Sequence, residues 1–108
     1  MAYYMVQAAY SAEAIAAMVK KPEDRAAAIV PVIEKLGGKL DGLWFCFGEY
    51  DIVGISQMPD NVSAAAFAFA VSQSGKLRSV KTTPLMTSGD AMKAMKKAGG
   101  LSYRAPGA

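Results

Sequence analysis

A chain of 108 residues that is 53% hydrophobic and 19% charged is too apolar to be disordered and too short for two ordinary cores, so it reads as one small domain. No apolar run approaches the roughly 20 residues that span a bilayer, and the N-terminus lacks a basic start and a long apolar centre, so a cytoplasmic protein is expected. The single cysteine excludes an internal disulfide, and the lack of histidine removes the commonest metal ligand and the commonest general base at neutral pH.

Residues 3–10 alternate and are rich in β-formers, which predicts a first strand. Ser11 follows as a helix cap with Glu13 in the first turn. Pro22 predicts a break and the start of a second helical segment, along which Ala26, Ile29, Val30, Ile33 and Leu36 form one apolar stripe. Pro31 inside that segment predicts a kink, because it deletes a backbone bond and crowds the preceding turn. Gly37-Gly38 ends the helix.

Strands over residues 39–47 and 50–58 are separated by a short turn at Gly48-Glu49-Tyr50-Asp51, so they read as a tight antiparallel hairpin. Pro59-Asp60 stops the second of them and caps an alanine-rich helix over residues 61–74. Phe67 and Phe69 fall about 200° apart on that helix and cannot both face one sheet. A fourth strand over residues 77–86 follows. Thr87 and Asp90 then resemble a capping box for a last helix to Ala98. One domain over residues 1–98 with a flexible tail over 99–108 is the expected organisation, the tail being loose or an arm on a neighbour.

The order β, α, β, β, α, β with an extra C-terminal helix is that of an α+β, ferredoxin-like βαββαβ sandwich. Helices cover one face of such a sheet, yet parity puts apolar residues on both: Leu43, Phe45 and Phe47 on one side, Trp44 and Cys46 on the other, with Val53 and Ile55 opposed to Ile52 and Gly54. Leaving four such side chains in water forgoes roughly 6 to 12 kcal/mol, comparable to a domain's net stability. A second subunit laid face to face on the open side is the simplest cover, so the chain is expected to pair with itself, as a homodimer or a higher homo-oligomer.

Several of these features recur together: the alternating first strand, the Pro-interrupted helix ending Lys35-Leu36-Gly37-Gly38-Lys39, then Gly48-Glu49-Tyr50-Asp51-Ile52-Val53, Met58-Pro59-Asp60, and Val80-Lys81-Thr82-Thr83-Pro84-Leu85-Met86-Thr87. Together they resemble the GYD domain family of small bacterial proteins, over about residues 3–87. The resemblance implies a dimeric α/β barrel that pairs through its sheet. It supplies no catalytic residues. The family's name residues fall on Gly48, Tyr50 and Asp51, and the stretch after Ser88 lies outside the resemblance.

For the hairpin, one reading is structural: Gly48 supplies a turn conformation, Tyr50 packs its ring and Asp51 caps a backbone group. The other places Glu49, Tyr50 and Asp51 at a pocket mouth, where burial raises a carboxylate's pKa towards that of a general base. Two acids and a phenol from one turn are too few for a dedicated cation site, so neither metal nor cofactor is expected. Cys46, without a basic neighbour, reads as an inert core thiol, and Trp44 as a dimer anchor or the roof of an apolar cavity. From Lys76 onward seven Lys or Arg face one acid, net +6. Without interleaved aromatics or a reading motif, nucleic acid is not the expected partner, and a solvated or subunit-facing surface is the expected meaning. Two function classes fit. One is an oligomeric binding or sensing module with a small apolar pocket. The other is a cofactor-free isomerase or monooxygenase acting on a small aromatic or lactone substrate. Tyr50, Asp51, Trp44 and Arg78 are the candidate ligand-binding residues for either.

Overall fold

A computed structural model describes residues 1–107, and its elements keep the expected order: β1 (Ala2–Tyr10), α1 (Ala12–Lys20), α2 (Arg25–Lys35), β2 (Lys39–Phe45), β3 (Ile52–Met58), α3 (Asn61–Ser72), β4 (Leu77–Leu85) and α4 (Ser88–Gly99). The strands form one antiparallel sheet ordered β2-β3-β1-β4. This is the ferredoxin-like sandwich. Its first three helices lie on one face, since residues of α1, α2 and α3 pack against the same alternate positions of the strands.

The helix starts follow from side-chain oxygens that satisfy free backbone donors. Ser11 Oγ accepts from the Ala14 N–H at 3.1 Å, an Asp60 carboxylate oxygen from the Ser63 N–H at 2.8 Å, and Thr87 Oγ1 from the Asp90 N–H at 3.1 Å. The second segment differs from expectation. It begins at Arg25 under an Asp24 cap, which accepts from the Ala26 N–H at 3.0 Å, and not at Pro22. The helix also continues through Pro31. Pro31 and Ala27, whose carbonyl lacks its usual donor, both lie on the exposed side, where that carbonyl is open to solvent rather than buried unpaired.

Between β2 and β3 the chain also departs from a tight hairpin. Pairing stops at Phe45 and resumes at Ile52, and the Cys46 N–H donates to the Asp51 carbonyl at 2.8 Å across a short loop containing Gly48 at φ +140°. Cys46 and Phe47 therefore lie beyond the end of the sheet. Phe47 is 99% exposed and belongs to neither face, and Cys46 is an exposed thiol, not a core one. At the other end of β2, Gly38 permits a close approach: a Cβ there would lie 2.5 Å from the Gln57 carbonyl oxygen.

β3 shows how the sheet divides its residues. Ile52, Gly54, Ser56 and Met58 are buried beneath the helices, while Val53, Ile55 and Gln57 between them are half-buried on the open face. Ile33 and Met58 are almost fully enclosed, with Tyr4, Ala64 and Phe67 around them. Phe69 points away from that core, 75% exposed. On the open face Val53 and Ile55 are joined by Met5, Leu85 and Trp44, the last 57% exposed. No residue of α4 is buried. The radius of gyration, 17.5 Å with a longest dimension of 58 Å, exceeds the roughly 13 Å of a compact chain this long. Among the described residues no helix is long and apolar enough to cross a membrane.

Candidate functional site

Small residues occupy the middle of the helix-covered face. Ala8 on β1 and Gly54 and Ser56 on β3 sit where larger side chains would fill the space beneath α2 and α3. A Cβ at Gly54 would already stand 3.1 Å from Leu43 Cδ1. The space they leave is a cavity of about 320 Å³, walled by Val6, Ile33, Leu40, Leu43, Phe67 and Val71 among others. Arg25 and Lys76 are the charged residues of its lining, and no carboxylate joins them. Both side chains are partly exposed, which places their charge at the rim.

Tyr10, Arg25 and Lys76 also line a second cavity of about 210 Å³, bounded by Ala14, Ala17 and Met18 of α1. These three residues thus separate two adjoining spaces. Arg25 Nη1 donates to Glu23 Oε1 at 2.7 Å, and Lys76 Nζ is paired with Glu13 Oε1. The Glu23 hydrogen bond is the main influence holding the Arg25 guanidinium above its ordinary pKa, with the Tyr10 phenol adding to it against partial burial. Lys76, by hydrogen bond and charge, holds the exposed Glu13 carboxyl below its ordinary value.

Tyr10 is fixed from the hairpin. Asp51 Oδ2 accepts from the Tyr10 N–H at 2.8 Å, the Asp51 N–H donates to the Ala8 carbonyl at 2.9 Å, and the Tyr10 ring stacks on Phe45 with centroids 6.4 Å apart. β1 shifts register against β4 at this point: Ala9 pairs Ser79 and Tyr10 pairs Leu77, leaving Arg78 as the extra residue. The Tyr10 N–H points the other way, past the end of β3, whose pairing with β1 runs only to Ala8↔Ile52, and finds its acceptor in the side chain of the neighbouring loop, while the Ser11 N–H on the β4 side donates to the Lys76 carbonyl at 2.8 Å.

None of the four residues singled out from sequence lines the large cavity. Trp44 lies on the opposite face of the sheet, where its ring covers Gly42. Tyr50 is half-buried in the loop, and its carbonyl accepts from Cys46 Sγ at 3.3 Å. Arg78 is exposed on β4. Asp51 reaches the cavity through two residues that line it, Tyr10 and Ala8. The residues that do form the rim, Tyr10, Arg25 and Lys76, were not among the candidates. One signal for them was present: Arg25 continues the line of Ile29 and Ile33 at four-residue spacing, putting a cation on the apolar face of α2. Nothing local marks Lys76. Among the described residues no three Cys, Asp or Glu side chains gather as metal ligands.

A family model described as "GYD domain" matches residues 4–95, reaching into α4 and past Ser88, where the motif resemblance ends. No curated protein matches. Among solved structures the chain is similar to FFRP-DM1 at 12% identity, TM-score 0.50, covering 80% of this chain and 100% of that one. It is similar to MtbAldR at 12% identity, TM-score 0.56, covering 80% of this chain and 52% of that one. A third likeness is to an uncharacterized NIPSNAP domain protein from Burkholderia xenovorans at 17% identity, TM-score 0.53, covering 82% of this chain and 95% of that one. At such identities the likeness is one of fold.

Proposed function

Since the chain belongs to the GYD domain family, we propose that it is a binding or sensing module whose cavity beneath α2 and α3 takes a small, largely apolar molecule, and whose subunits pair through the open sheet face as a dimeric α/β barrel. The observation that carries the first part is the cavity itself. Domain interiors are close-packed, so a space of about 320 Å³ with almost wholly apolar walls, open at a rim, leaves unpacked apolar surface that a small apolar molecule would cover. Ligand sites have this form: concave, mostly apolar, with few polar groups. Pairing is supported by Met5, Val53, Ile55, Leu85 and Trp44 on the face that no helix covers. The exposed Met92 and Met95 of α4, set in the basic part of the chain, lie in this reading against a neighbouring subunit.

Filling the space tests the ligand reading. Ala8 is buried and lines the cavity, so Ala8→Leu puts a side chain into it. In titrations followed by methyl NMR, indole should shift the Ile33, Leu40 and Val71 signals of the wild type and leave those of Ala8→Leu unmoved. Equal shifts in both proteins, or none in either, count against a ligand cavity.

A further inference from the structure

We propose that the natural ligand carries one anionic head group, a carboxylate, on its apolar body, and that Arg25 and Lys76 hold that head at the cavity rim. The inference rests on the reading of the cavity as a ligand site and adds the chemistry of what enters.

Its first support is the asymmetry of the lining. Apart from Tyr10, Ser56 and Ser74 the walls are apolar or glycine, and the charge among the lining residues is two cations without an acid. A neutral apolar ligand gains nothing from two cations at the rim, whereas a carboxylate leaving water regains there the charge-assisted hydrogen bonds it loses on entry. The second support is placement. Arg25 stands at the start of α2 and Lys76 in the turn before β4, yet both border both cavities together with Tyr10. Cations from two distant stretches of chain therefore meet at one opening, beside a phenol able to donate to the same oxygen.

Both cations already have partners, Glu23 and Glu13. Neither acid lines the large cavity, Glu23 bordering the smaller one instead, and the pairs are partly exposed, where ion pairs are weak and readily exchanged. Arg25 uses Nη1 for Glu23, which leaves further N–H groups of the guanidinium for a second acceptor. At rest the glutamates hold the cations at the rim. On binding, the ligand carboxylate takes over or shares them, while its body lies against Ile33, Leu40 and Phe67.

Two probes with the same apolar body separate this from the underlying reading: 4-phenylbutanoate, with a carboxylate, and 4-phenylbutan-1-ol, without one. In isothermal titrations of the full chain the acid should bind at least about tenfold more tightly, and added salt should weaken only the acid. Arg25→Gln and Lys76→Gln should each remove most of that advantage, and the alcohol should still bind to each, which reports that the cavity is intact. Equal binding of the two probes, or an acid advantage that survives both substitutions, overturns the proposal and leaves the apolar site standing. Binding of neither probe removes the ligand reading and this inference with it.

Discussion

Asp51 shows how a residue of the name motif is tied to the cavity without touching it. Its carboxylate accepts the Tyr10 N–H, and its own N–H is spent on Ala8, so one residue fixes the end of β1 at two points. Asp51→Ala leaves the Tyr10 donor without its acceptor and should cost about 1 to 3 kcal/mol in urea unfolding. Asp51→Asn keeps an acceptor oxygen and should cost less. A loss of ligand affinity without a loss of stability in Asp51→Ala would instead give the carboxylate a direct role. That Asp51 caps a backbone group is among the readings open from sequence, because aspartate at a turn has few other uses. Which group it caps was not legible: Tyr10 is forty-one positions away, and its N–H is free because β1 runs on past the end of β3, which is a property of the folded pair β1–β3. Arg25 was missed for a related reason, as an arginine beside Asp24 and Glu23 looks like a solvated helix start until the sheet is laid beneath it.

At the scale of elements, the caps were readable because each is local. Ser11, Asp60 and Thr87 bond to N–H groups three residues on, inside the window a sequence pattern covers. Two of these starts carry a pH dependence. Hydrogen bonds from the Ser63 backbone first, and then its side chain, hold the Asp60 carboxyl below its ordinary value, as Lys76 does for Glu13. Carboxyls whose folded pKa lies below the unfolded one, about 4, stabilise fully above that value, and the gain is lost as pH falls through the folded pKa. Thermal midpoints should therefore drop on acidification below about pH 4. Asp60→Asn, which still caps, should lose little at neutral pH and show a shallower acid limb; an unchanged acid limb would mean that the carboxylate form of the cap does not matter. The β2–β3 link was less legible. Alternation continues through Phe47, but strand pairing ends at Phe45, and a pattern of residue types does not record where a strand leaves its neighbour.

For the molecule as a whole, the fold followed from element order, since two βαβ units of right-handed crossover leave few arrangements. The cavity did not follow. It arises because Ala8, Gly54 and Ser56 come together across two strands under two helices, and each alone is an ordinary small residue. The apolar character of both sheet faces was readable by parity, and it leads to a prediction about assembly. Sedimentation equilibrium at micromolar concentration should give at least twice the chain mass, and Ile55→Glu, which puts a charge on the open face, should shift the protein towards single chains. A folded single-chain species in the wild type would be evidence against face-to-face pairing.

The position of Trp44 has an optical consequence. It is the chain's one tryptophan, and its ring lies against Gly42 on the face turned away from the cavity. Intrinsic emission of this protein is thus a gauge of how polar the surroundings of the open face are. Dilution that separates subunits should move the spectrum to longer wavelength, whereas occupation of the cavity, shielded by the thickness of the sheet, should leave it nearly still. Ligand searches that watch tryptophan light would look at the wrong side of the molecule, and a reporter placed at Phe67 would see what Trp44 does not.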